Sequence, residues 1–479
     1  MCVVQCHGAS EFSLVNRPDC LIAVRKEECR VSKPARRRKM DQVEKRIIEL
    51  IDKHKDEIIE FARDIYAHAE LGYKEYRTSQ KFTDILKTLP VSRIDTGFAI
   101  TGVKGYLKKP EEENGPAVAL IGELDALRIP RHPFANPETE GAHCCGHHAQ
   151  LAGVIGAAIA LSDPEISQAM DGNIIFFGVP AEEFGEVEFK NSLISQGKIV
   201  YGGGKCELIR IGAFDDIDMS VVHHTNSGNI SVGNGTSNGF ISKLIRYKGE
   251  PAHAAGEPHK GINALNAASL GLTALQFQRE TFRDEDSVRV HPILTKGGDL
   301  VNVIPDDVVI ETLVRAKTNE AIKDADQKTD RAFKAGAFAV GAGYTIETKC
   351  GYLPQLARPA PQALIDAALL SAPGREIEIV DVESHGAAST DVGDLQHIQP
   401  VLTFQTSGVS GPFHSDRFTI TDEDEAYITT AKIFALTAYE LLKNKAKAAN
   451  EIIRTFEPQF TKETYIEYMN SIARVETSE

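Results

Sequence analysis

From Met40 onward the chain sets Val43, Ile47, Ile51, Ile58, Ala62 and Ile65 among lysines and glutamates at close to helical spacing. One buried face is the meaning of such a pattern, so a long amphipathic helix is expected to open the fold. Short apolar runs follow at Ala117 to Ile121, Ile174 to Val179, Met219 to Val222 and Val401 to Gln405, separated by helical segments such as Leu151 to Leu161. This alternation predicts an α/β architecture built on a mainly parallel sheet.

Between residues 238 and 349 the pattern changes. It reads strand (Phe240 to Tyr247), helix (Gly261 to Arg279), strand (Ser287 to Thr295), strand (Val308 to Arg315), helix (Asn319 to Ala339), strand (Tyr344 to Thr348). That β-α-β-β-α-β order is the ferredoxin-like split unit, expected here as an inserted domain. The chain then divides into an extension (1–39), a first domain in two parts (40–237 and 350–479) and the insert (238–349). The second part returns through the Pro-rich stretch Pro354 to Pro361 and finishes in helices near Glu423 to Lys443 and Lys462 to Arg474.

Composition adds limits. With 479 residues, 42% of them hydrophobic and 25% charged, the chain is long enough for two or more packed units of an ordinary soluble kind. A formal charge of −15 argues against nucleic acid and for small-molecule or protein partners. No apolar stretch approaches the roughly 20 residues of a membrane helix, and the first 39 residues show no apolar core of a secretory signal. No membrane association and a cytoplasmic setting are therefore expected. Four of the eight cysteines (Cys2, Cys6, Cys20, Cys29) lie in the extension, at C-x3-C and C-x8-C spacings that match no standard zinc pair. The extension, ending in Arg36-Arg37-Arg38-Lys39, is expected to be disordered; a cysteine zinc knot is the alternative.

Ligands of open α/β sheets bind beyond the carboxyl ends of the strands, and here each strand end carries donor chemistry. Glu123 and Asp125 follow the first run, Glu182 and Glu183 the second, His223 and His224 the third, and His414 the fourth; the loop between adds His143, Cys145 and His147. Any one of these groups has an ordinary structural explanation. Together, thiolate, imidazole and carboxylate on one rim suit zinc or a similar borderline metal. Other enzyme chemistries lack their motifs: there is no G-x-S-x-G, H-E-x-x-H or G-x-G-x-x-G, and Gly202-Gly203-Gly204-Lys205 is followed by Cys206 where a phosphate loop needs Ser or Thr.

These residues carry a resemblance. From about Met40 to Lys443 the chain resembles the amidohydrolase branch of the aminoacylase and carboxypeptidase-G-like metallopeptidases, which includes hippurate, auxin-conjugate and aminobenzoyl-glutamate hydrolases. The matching motifs are Ala67-His68-Ala69-Glu70-Leu71-Gly72, Glu123-Leu124-Asp125-Ala126-Leu127, His143 to His147, Pro180-Ala181-Glu182-Glu183, Ala252-His253-Ala254-Ala255, Asn302-Val303-Ile304-Pro305, Ser389-Thr390-Asp391-Val392-Gly393-Asp394 and His414-Ser415. The resemblance implies two divalent metal ions per subunit, zinc first and manganese or cobalt as alternatives, held by Cys145, His147, Glu183, His224 and His414. The resemblance prefers His224 to His223 because it lies six residues after Asp218, the family's Asp-to-His spacing; neighbours on a strand face opposite ways, so only one of the two should point at the site. Glu182 becomes the general base, and Asp125, Glu123, Asn302, Ser389 and Thr390 bind substrate or support the ligands.

The implied reaction is hydrolysis of the amide bond in N-acyl or N-aminoacyl amino acids or dipeptides by metal-activated water, Glu182 moving the proton to the leaving amine. Adjacent Glu182 and Glu183 then divide the work, one free to carry protons and one on metal. Resemblance also implies a homodimer joined through the insert, with His253 reaching the partner's site. His148 and Gln150 depart from the family, which commonly has Asp or Asn at the first and sometimes His at the second, and Glu123 stands where many members have Asp. A silent metal-binding or regulatory protein on the same fold is the competing reading; it has no need of a free proton shuttle such as Glu182.

Overall fold

In the computed structural model, which describes residues 38–478, the expected opening helix is two helices, Gln42–Lys53 and Lys55–Ala67. Every side chain between Ile51 and Ile58 is polar, so nothing in that turn is drawn inward, and His54 ends one helix and begins the next. The apolar face nevertheless continues: Ile47, Ile51, Ile58, Ala62 and Ile65 are buried in one cluster. A reciprocal cap starts the first helix, Asp41 and Glu44 each accepting the other's backbone N–H at 2.8 Å. The expected extension and its cysteines Cys2, Cys6, Cys20 and Cys29 lie outside the described residues.

The larger sheet has eight strands in the order Arg93–Phe98, Gly102–Tyr106, Asn173–Val179, Ala117–Glu123, Met219–Thr225, Val401–Thr406, Ile230–Val232, Ile377–Ile379. Its central four are the four apolar runs, mutually parallel. Both faces are covered, as such runs require. Val118, Leu120, Ile174, Phe176, Met219 and Val221 enter one core, with the helices Gln42–Lys53, His147–Leu161 and Thr430–Thr455. Ala119, Ile121, Ile175, Phe177 and Val222 alternate into the opposite core. The flanking pair Arg93–Phe98 and Gly102–Tyr106 is antiparallel. Because the central strands run the same way, Glu123, Val179, Thr225 and Thr406 end on one rim.

A second sheet, six-stranded and antiparallel, joins Gly239–Lys248, Asp307–Ala316 and Gly343–Tyr352 to the short strands Arg289–Val290 and Ile293–Lys296. Strict alternation of burial along Asp307–Ala316 shows one face packed, here against the helices Ala264–Gln278 and Asn319–Val340 in a core of its own. In chain order the elements are β-α-β-β-β-α-β, because the expected strand Ser287 to Thr295 is broken at Pro292 into Arg289–Val290 and Ile293–Lys296. Another expectation is corrected: the last helix stops at Ile472, and Arg474–Ser478 is a strand paired with Gly343–Tyr352. Arg474 is held there by Asp330 and Asp326, at 2.5 and 2.9 Å, and alternation of Val475 and Thr477 suits an edge strand. Among the described residues no helix is long and apolar enough to cross a membrane.

Candidate metal centre

Five segments meet at the rim. Gly146 ends the Cys145 turn with φ +84° and starts the helix His147–Leu161. A Cβ there would lie 2.2 Å from Thr225 Oγ1, so glycine lets the turn close on the Met219–Thr225 strand. The result brings Cys145 Sγ to 3.3 Å from His224 Nε2. His147 turns Nδ1 to the carbonyl and carboxylate of Asp125, at 2.9 and 3.2 Å, which leaves Nε2 facing Glu123 Oε2 at 3.1 Å and Glu182 Oε2 at 3.9 Å. His414 Nε2 lies 3.3 Å from Glu183 Oε1.

Three donor groups result, each with atoms within 4.8 Å of one another: Cys145, His147 and His224; Cys145, Glu183 and His414; Glu123, His147 and Glu182. Cys145 belongs to the first two and His147 to the first and third. Two buried donor atoms, His147 Nε2 and Glu183 Oε1, have no hydrogen-bond partner. Buried polar atoms are rarely left so without a role, and a soft thiolate with imidazoles and carboxylates fits a borderline divalent ion. His223 points away, its Nε2 on Thr406 Oγ1 at 2.7 Å and its ring against Phe404. His143 is buried without partners beside His148 and joins none of the groups.

The electrostatics are those of a crowded donor set. Burial, with the charges of Glu123 and Glu183, pushes Glu182 well above the usual carboxylate range. Burial and Glu183 likewise push up the Cys145 thiol. Burial alone would raise Glu123, but Lys205 and His147 outweigh it and hold it at about 2. A cation bound among these groups relieves the repulsion and favours the thiolate.

Of the remaining sequence candidates, Asp125 is buried and its Oδ2 accepts the Glu183 N–H at 2.9 Å, orienting the Glu182-Glu183 pair. Ser389 Oγ accepts from the Arg315 guanidinium at 2.7 Å, and Thr390 Oγ1 accepts the Val392 N–H at 3.3 Å. His253 and Asn302 sit apart: both are exposed, on segments joined by the Ala254 N–H to the Asn302 carbonyl, and neither hydrogen-bonds to the donor groups.

Sequence reasoning passed over Lys205 and Arg315. Lys205 is fully buried, its ammonium 2.5 Å from both Glu123 Oε1 and Asp391 Oδ1. The preceding glycines were the signal: a Cβ on Gly204 would fall 1.6 Å from the Pro180 carbonyl oxygen, so that run exists to lie against the Glu182 loop. Arg315 is half-buried, stacks on Phe240 at 5.0 Å and, among the described residues, pairs with no carboxylate.

The pattern of peptidase family M20/M25/M40 matches residues 119–440. Xaa-Arg dipeptidase of Mus musculus is 26% identical over 427 residues, 84% of this chain and 90% of the mouse protein. N-acetyl-L-cysteine deacetylase of Bacillus subtilis is 28% identical over 395 residues, 79% of this chain and 86% of that protein. A crystal structure of a dinuclear metal-binding peptidase from Bacillus subtilis superposes with a TM-score of 0.60 at 22% identity, covering 82% of this chain and 99% of that one. The chain belongs to peptidase family M20/M25/M40 and is a metal-dependent hydrolase of amide bonds.

Proposed function

We propose that the substrates are N-acyl or N-aminoacyl amino acids or short dipeptides, and that Cys145, His147, His224, Glu183 and His414 hold two divalent ions, zinc in the first instance with manganese or cobalt as alternatives. The observation that carries this reading is the sharing of Cys145 between the groups completed by His147 and His224 and by Glu183 and His414. When bound, the ions supply Lewis acidity that lowers the pKa of water and polarises the amide carbonyl.

Glu182 takes the proton from the attacking water and returns it to the leaving amine. Burial and its carboxylate neighbours raise its affinity for a proton, and Tyr352 donates to its backbone carbonyl from behind, steadying the loop. Asp125 fixes the tautomer of His147, since Nδ1 donates to it and Nε2 is left as the donor to metal. Arg315, whose hydrogen bond goes to the Ser389 hydroxyl, is suited to receive the carboxylate of the leaving amino acid.

The same proposal includes a homodimer built through the insert. Phe277 and Ile293 there are exposed, and His253 and Asn302 stand together where a second subunit can use them. A cytoplasmic setting accords with four free cysteines among the described residues. The test is a hydrolysis screen with metal-replete protein over acyl-amino acids, dipeptides and aminobenzoyl-glutamate. Release of an amino acid from at least one is expected; a chain carrying two ions and cleaving none overturns the substrate reading.

A further inference from the structure

We propose that Glu123 is a sixth donor to the metal centre, on the His147 side, and that Lys205 and Gln150 are positioning residues that aim it. This rests on the metal-dependent reading above. Glu123 ends its strand buried, with both carboxylate oxygens already engaged. Gln150 binds it twice, its side-chain oxygen accepting the Glu123 N–H at 2.9 Å and its Nε2 donating to Oε2 at 2.8 Å. Lys205 takes Oε1 at 2.5 Å. Oε2 also faces His147 Nε2 at 3.1 Å, the buried imidazole nitrogen that has no hydrogen-bond partner.

Lys205 cannot swing away. Asp391 holds its ammonium at 2.5 Å and its backbone N–H at 2.8 Å, and Gly203 and Gly204 press it against Tyr352 and Pro180, where a Cβ would fall 2.3 and 1.6 Å from the nearest atoms. Two departures from the family thereby gain one explanation. A glutamate in place of aspartate spans from the strand end to both Lys205 and His147, and a glutamine at 150 can donate to that carboxylate while accepting its N–H, which a neutral histidine could not do from one side.

The test uses the full chain stripped of metal and titrated with cobalt(II), read by bound cobalt per chain and by the thiolate-to-cobalt absorption of Cys145. Wild type is expected to take up two ions. Glu123→Gln keeps the shape and the backbone N–H contact to Gln150 while removing the charge and one acceptor oxygen, and it should weaken one binding step by about 10- to 100-fold, the usual effect of losing a group that supports or completes a metal site, leaving the other within twofold. Lys205→Met should weaken the same step, and the double variant no more than Glu123→Gln alone, because Lys205 acts through Glu123. If Lys205→Met does not fold, Glu123→Gln and Gln150→Leu decide. Folded Glu123→Gln binding both ions with wild-type affinity and spectrum overturns this assignment alone. A wild-type chain that binds no cobalt overturns the metal reading and this one together.

Discussion

The carboxylate of Glu75 accepts the backbone N–H of Ala181 at 2.8 Å, and Ala181 is a non-glycine residue held at φ +50°. An alanine adopts that conformation only where its surroundings impose it. The anchor therefore lies one residue before Glu182, and its second oxygen is fixed by the Thr101 hydroxyl at 2.7 Å. Burial and the neighbouring Asp125 push Glu75 up to about 7.

A stability signature follows. The carboxyl ionises near 4.5 when unfolded and near 7 when folded, so between those values the native state binds the extra proton and stability falls as pH rises. Below that window both states are protonated; above it both are ionised and the loss is complete, at most about 3 kcal/mol. Metal-free Glu75→Gln should lack this component. Urea unfolding at pH 5 and pH 8 measures it, and an unchanged difference between the two pH values in the variant would refute the assignment.

Glu182 and Glu183 should separate cleanly. Glu182→Gln is expected to keep its metal and lose about 10²- to 10⁴-fold in kcat, the usual share of a proton-transferring group, whereas Glu183→Gln should lose metal. Metal content beside turnover distinguishes them. Near-normal turnover in Glu182→Gln would mean that another group carries the proton.

Close approach of Gly204 to Pro180 predicts a steric effect. Gly204→Ala must displace backbone on a segment tied by the Gly204 N–H to the Ala181 carbonyl at 2.9 Å, and should cost about 3 kcal/mol. Gly185, with nothing within 4 Å of its would-be Cβ, is the control, expected within about 0.5 kcal/mol. Equal denaturation midpoints for the two variants would contradict the geometry.

If His253 works in the partner's site, mixing inactive His253→Ala with inactive Glu182→Gln should restore activity. Random exchange puts half the chains in mixed dimers with one complete site each, which allows up to roughly a quarter of wild-type rate. Confirmed exchange with no recovery would assign His253 no role across the interface.

The central strands were legible because both of their faces are buried, which leaves a continuous apolar run. Arg93–Phe98 was not, being half-exposed, charged and interrupted by Gly97. Strand alternation says that only one of His223 and His224 faces the site, and the resemblance to the family, through its spacing from Asp218, picked His224. Lys205 was hidden by its glycines, which were weighed against a phosphate loop when their role is contact with Pro180. Arg315 lies in an evenly alternating strand, where a charge on the less buried face reads as solvated; only the fold reveals Phe240 beneath it and Ser389 beside it.

The pairing of Met219–Thr225 with Val401–Thr406 also dictates an order of events on the ribosome. The second sheet's helices and three long strands are made before residue 401 and can assemble while synthesis continues, yet the larger sheet must wait with an open edge along Met219–Thr225. His414 arrives later still, so Cys145, His147 and His224 are all synthesised before the group of Cys145, Glu183 and His414 can be completed. Closing such distant pairings is slow, and an ion captured early by the first three donors would tether the waiting strand until its neighbour emerges.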